Sequence, residues 1–82
     1  MVNVKKQIKK LPDSPGIYMF YDSDRNLIYV GKSISIKKRV ASYFTRASLG
    51  PKTDLMVQKI TTVDHIKVFS EFEALLLEAQ LI

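Results

Sequence analysis

Two tyrosines eleven positions apart, Tyr18 and Tyr29, stand in segments that read as neighbouring strands. An arginine and a third tyrosine, Arg39 and Tyr43, are four apart on a helical pattern and share a face. Phenols can pass protons or hold a water. A guanidinium fork suits the non-bridging oxygens of a phosphate better than an ammonium does. Glu78 is the residue that fits its setting least. On a helix its neighbours at −4, −3, +3 and +4 are Ala74, Leu75, Leu81 and Ile82, all apolar. A carboxylate among such neighbours is costly unless something pairs with it.

Each residue also has a plainer reading. Tyrosine is common in strands, so Tyr18 and Tyr29 alone would read as hairpin core. Most helix arginines are solvated. Glu78 could pair with Lys59 or Arg39. It could also sit at a boundary if the helix packs by Phe72, Leu76 and Ala79. If it binds a metal, the ion is hard. Mg²⁺ or Mn²⁺ suits one carboxylate plus waters. His65 is the only histidine and has no partner at ligand spacing, which makes it a surface or structural residue.

The elements that must position these groups follow from pattern. The 82 residues make a single domain, spanning 1–82. Val4, Ile8 and Leu11 form the apolar side of a short helix that Asn3 can cap and Pro12 ends. Residues 13–16 turn into a strand over Ile17–Tyr21. Residues 22–26 are turn formers, and Leu27–Val30 completes a hairpin before Gly31 breaks the second strand. Ser33 or Ser35 caps a helix to about Phe44, with Ile36, Val40 and Phe44 buried. Gly50 and Pro51 mark a loop, and Thr53 caps a short helix holding Leu55, Met56 and Ile60. Val63–Phe69 is a third strand, and Ser70-Glu71-Phe72-Glu73 is a capping box opening the last helix. The order α-β-β-α-α-β-α implies an α+β domain with a small, three-stranded, mostly antiparallel sheet.

Charge and composition narrow the function. The net charge is +5 and the pI about 9.6. Basic residues gather at Lys5, Lys6, Lys9 and Lys10, and again at Lys37, Lys38, Arg39 and Arg46. That is a footprint for a polyanion, and Lys37, Lys38 and Arg46 are candidates for DNA-backbone contact. Without cysteine, disulfides and thiolate zinc sites are excluded. No apolar run is long enough to span a membrane and no signal peptide is visible, so cytoplasm is the expected location. The apolar stretch 74–82 has no stop signal, which leads us to expect a C-terminally trimmed fragment of a longer multidomain protein.

Gly16-Ile17-Tyr18 and Tyr29-Val30-Gly31 match the two halves of a known pattern, with Val in place of the second Ile. Lys32 follows directly, and Arg39, Tyr43 and Glu78 follow in order. The sequence resembles the GIY-YIG nuclease family. Leu11-Pro12, Pro15–Tyr18, Tyr29–Ser33 and Arg39–Phe44 make it most similar to the UvrC-like branch of that family. The resemblance implies the GIY-YIG fold and a metal-dependent DNA endonuclease of nucleotide excision repair that makes the 3′ incision near a lesion. It implies catalytic roles for Tyr18, Tyr29, Lys32, Arg39 and Tyr43, with Glu78 holding one divalent cation, Mg²⁺ or Mn²⁺. DNA and a UvrB-type repair protein are the implied partners, and the isolated domain is expected to be monomeric. Members of that branch continue into a Pro-Lys-Tyr-Asn segment beyond the last helix, so this fragment need not be active alone. The alternatives are another GIY-YIG nuclease acting on branched or homing sites, and a basic module that binds nucleic acid without cutting it.

Overall fold

The computed structural model describes residues 4–45, 48–68 and 71–82, apart from the side chains of residues 71–75. Its elements are α1 (Val4–Lys9), β1 (Gly16–Tyr21), β2 (Leu27–Ser33), α2 (Ile36–Thr45), α3 (Pro51–Lys59), β3 (Thr62–Lys67) and α4 (Glu71–Leu81). The strands form one antiparallel sheet in the order β2-β1-β3. The expected class and element order are therefore correct.

β1 is central and covered on both faces, which explains why its sequence is nearly all apolar or aromatic rather than alternating. Tyr18 and Phe20 project to one side. There they pack with Leu11, Ile36, Val40, Ile60 and Val63, and with partly buried Val4, Ile8, Tyr43 and Phe44. Ile17 projects to the other side, against Val68 and Leu77 of α4. Full burial of side chains such as Phe20, Ile17, Ile36 and Val40 stabilises the fold by about 1.5–3 kcal/mol each.

The lead-in loop fixes α2. The N–H of Ile36 donates to the Ser14 carbonyl at 3.0 Å and that of Lys37 to the Pro12 carbonyl at 3.1 Å. These satisfy donors that a helix N-terminus otherwise leaves unpaired. Of the two candidate caps, Ser35 is the one used. Its Oγ accepts from the Lys38 N–H at 3.4 Å and donates to the Asp13 carboxylate. Ser33 instead closes the loop, donating to the Ser35 carbonyl at 2.8 Å. On the other side of the core, Gln7 ties α1 to β3. Its Oε1 accepts from the Val63 N–H at 2.8 Å and its Nε2 donates to the Thr61 carbonyl at 3.0 Å.

Three boundaries differ from the sequence expectation. Gly31 does not break β2: pairing runs on through Gly31↔Tyr18, Lys32↔Ile17 and Ser33↔Gly16. Thr53 does not cap α3. Gly50 does, at φ 106°, with Pro51 opening the helix. Proline suits that first position because its fixed φ is helical and its missing N–H costs nothing there. Ile60 lies just past α3 as its cap and is buried in the core. Asn3, Phe69 and Ser70 lie outside the described residues, as do the side chains of Glu71 and Glu73, so the capping box cannot be placed.

Candidate active site

Register answers the first question about the two tyrosines. Tyr18 pairs with Gly31, and Phe20 pairs with Tyr29. Paired residues share a face, so Tyr18, Phe20 and Tyr29 all project to the same side, with Tyr18 and Tyr29 on a diagonal. The glycine opposite Tyr18 is required. A Cβ built on Gly31 would collide with the Tyr18 ring and its hydroxyl oxygen. The phenol thus lies across the Gly31 backbone, and the second half of the motif is a seat for the first.

α2 supplies the third phenol. The Tyr18 and Tyr43 hydroxyls share a hydrogen bond of 3.0 Å. Ring centroids are 6.0 Å apart for Tyr18–Tyr29, 5.9 Å for Tyr18–Tyr43 and 6.3 Å for Tyr29–Tyr43. Phe20 stands behind all three, at 5.3 Å from Tyr18, 6.0 Å from Tyr29 and 5.1 Å, edge-on, from Tyr43. The sequence reading missed Phe20. The signal was present, because a residue two positions from Tyr18 on a strand must share its face.

The three phenols differ in exposure. Tyr18 is 2% exposed and Tyr29 is 39% exposed. Tyr43 is half-buried. Burial pushes the Tyr18 phenol well above its ordinary value near 10. The Tyr43 hydrogen bond and the charges of Tyr43 and Tyr29 add to the rise, and Arg39 partly offsets it. Tyr29 is raised as well, by burial first, then by its interaction with Tyr43, with a further upward push from Glu78. Tyr18 and Tyr29 are therefore neutral hydroxyls near neutral pH. Forming a phenolate there requires added positive charge.

Glu78 stands near that need. It is half-buried, and its charge acts on Tyr29 at the β2 edge of the sheet. The apolar surroundings expected for it are only partly present. Leu81 and Ile82 are 38% and 87% exposed, and Leu76 and Ala79 are also exposed. Leu77 makes the contact with Ile17 and Val68. Among the described side chains of α4, Leu77 is the one packed on the sheet, and Glu78 is its half-buried neighbour. Among the described residues no group of three or more His, Cys, Asp or Glu gathers. The donor set suits a hard cation that keeps most of its waters and takes one carboxylate.

The remaining expected residues divide. Arg39 is exposed, yet its charge reaches Tyr18, which places it with the cluster. Lys32 pairs with Ile17, so its side chain leaves from the sheet face opposite Tyr18, the face α4 covers. Lys37 and Lys38 are exposed on α2. Arg46 lies outside the described residues. His65 pairs with Tyr18 across β1–β3 and so shares its face, on the side away from Gly31 and β2.

Known proteins resemble this chain in sequence and in fold. The family model for the UvrC-like GIY-YIG domain matches residues 14–82. UvrABC system protein C of Flavobacterium psychrophilum is 49% identical over 80 residues, which is 98% of this chain and 13% of that protein. The Caldicellulosiruptor saccharolyticus protein is 42% identical over 82 residues, covering the whole chain and 14% of that protein. The chain therefore spans a small part of the length of these relatives. Among solved structures, the GIY-YIG N-terminal endonuclease domain of UvrC from Thermotoga maritima, bound to its catalytic divalent cation magnesium, superposes with a TM-score of 0.81. The identity is 32%, and the match covers 96% of this chain and 85% of that one. Tyrosine-to-phenylalanine point mutants of the same domain, each with its catalytic divalent cation, match equally well at 0.81. With its paired GIY and YVG strands, and with a family model running from Ser14 to its last residue, the chain belongs to the UvrC-like GIY-YIG domain family.

Proposed function

We propose that this domain hydrolyses a DNA phosphodiester in nucleotide excision repair, making the incision 3′ to a lesion, with one Mg²⁺ or Mn²⁺ held by Glu78. The observation that carries the reading is the convergence of three phenols, hydrogen-bonded through Tyr18 and Tyr43, with the Arg39 charge acting on Tyr18 and the Glu78 charge on Tyr29. Family membership supports the nuclease class.

Each residue has a task that its surroundings permit. Arg39 donates to the non-bridging oxygens and balances charge that grows there in the transition state. Tyr29, the most exposed of the paired tyrosines, orients the attacking water and, as a phenolate whose own proton has gone to solvent, accepts the proton that the water gives up. Tyr18 and Tyr43 fix that network and exclude bulk water from its inner side. A bound cation would supply charge stabilisation to the phosphate and to the leaving 3′ oxygen. Lys32, which leaves from the opposite face of the sheet, is given no step at the cluster and adds to the positive charge of the domain. Lys37, Lys38 and Arg46 contact the DNA backbone, which positions the duplex without reading sequence. A UvrB-type protein would direct the domain to damage. A cytoplasmic, monomeric domain within a longer multidomain protein is consistent with this role.

The test is nicking of a labelled duplex with Mg²⁺. Tyr29→Phe is expected to slow cutting by about 100-fold or more with duplex binding retained, and Arg39→Ala to slow it as much while also weakening binding. Wild-type rates in both variants would contradict the assignment. A full-length protein carrying this domain that binds DNA but never nicks it would instead favour the non-catalytic basic module.

A further inference from the structure

A groove of about 260 Å³ opens beside the tyrosine cluster, lined by Arg39, Ser42 and Tyr43 of α2, by Leu49, and by Thr53 of α3. The α2 residues fall at i, i+3 and i+4, so one helix face serves both the reaction centre and this groove. Arg39 and Tyr43 are the shared walls. Resting on the nuclease reading above, we propose that the groove seats the sugar and phosphate next to the scissile one, with the Thr53 hydroxyl as the phosphate donor.

The lining matches that occupant. Leu49 offers an apolar surface for a deoxyribose, while Arg39 and the hydroxyls offer donors for a phosphate. The two short hydroxyls are not equivalent. Ser42 Oγ donates to the Arg39 carbonyl at 2.6 Å, so its proton is already committed. The Thr53 hydroxyl has no hydrogen-bond partner among the described residues and is half-exposed, so it can turn to a ligand without losing one. One acid, Asp54, borders the groove through Leu49 and keeps its charge. Asp54 accepts from the Leu49 N–H at 2.8 Å and from Ser48 Oγ at 2.7 Å. Those bonds, the Leu49 one foremost, hold its carboxyl below the usual carboxylate range. A groove that continues from the reaction centre and carries both the Arg39 guanidinium and a spare hydroxyl donor is suited to the backbone of the strand being cut.

The experiment uses duplexes with the phosphates on either side of the scissile one replaced in turn by neutral methylphosphonate. Binding and single-turnover nicking with Mg²⁺ are measured for wild type, Thr53→Val and Thr53→Phe. In wild type, neutralising one adjoining phosphate weakens binding about tenfold. Thr53→Val binds the native duplex about tenfold more weakly and is insensitive to that same neutralisation. Its loss falls on KM, with kcat nearly unchanged. Thr53→Phe, which fills the groove, binds more weakly still. The proposal is overturned if Thr53→Val keeps the wild-type response to the neutral phosphate, or if a folded Thr53→Phe binds and nicks like wild type. Should Thr53→Phe fail to fold, Thr53→Val decides alone. All three are compared within the full-length protein that carries this domain, and a full-length wild type that neither binds nor nicks the native duplex overturns the nuclease reading itself, and the groove assignment with it.

Discussion

Tyr18 serves the core and the cluster at once. Its ring is buried against Phe20, and its hydroxyl is held by Tyr43. Its raised pKa sets a pH dependence. The unfolded chain releases this proton near pH 10, earlier than the folded protein does, so ionisation favours unfolding. Its contribution is full below about pH 10 and erodes as pH climbs from there towards the folded-state value. Melting temperatures followed from about pH 8 to about pH 11 should therefore fall more steeply for wild type than for Tyr18→Phe. Parallel curves would show that Tyr18 does not ionise late. Near neutral pH the same variant should lose about 1 kcal/mol, the worth of one hydroxyl hydrogen bond. At this scale the sequence was only partly legible. Tyr18 and Tyr29 stood out through the family pattern, because tyrosines in strands look like core, and Tyr18 is core. Glu78 stood out by chemistry alone, although the exposure of Leu81 and Ile82 shows its surroundings to be a boundary. Phe20 was passed over because it carries no reactive group.

Among the elements, β2 departs most from expectation and explains most. A glycine inside a strand usually weakens it or marks a close approach. Here it marks the approach of Tyr18, which no local sequence window reveals because the contact crosses strands. Gly31→Ala should displace the Tyr18 ring and cost about 1–3 kcal/mol in overpacking. Nicking should fall further than stability does, and denaturant unfolding beside a nicking assay separates the two. Equal stability and activity in Gly31→Ala would refute the seat. α2 was legible in its buried stripe, since Ile36 and Val40 are both fully buried. What sequence could not give was its tether, because the partners of Ile36 and Lys37 are carbonyls of residues 14 and 12. Ser35→Ala removes the cap and should cost about 1 kcal/mol.

For the whole molecule, the +5 charge and the exposed lysines on α2 argue for binding dominated by phosphates. If three phosphates are neutralised, affinity should fall about 40-fold between about 50 and 200 mM salt. An affinity independent of salt would contradict that view. The fold class and element order were readable because each element carries its own period and its own breakers. The site was not, because it forms only where β1, β2, α2 and α4 meet. Its central claim is that phenols and arginine act with a cation held by one carboxylate. The direct measurement is Mg²⁺-dependent nicking of a duplex by wild type and Glu78→Gln, with binding followed alongside. Glu78→Gln should bind DNA like wild type and leave the strand intact at every Mg²⁺ concentration. Wild-type nicking by Glu78→Gln, with the same Mg²⁺ dependence, would contradict the account.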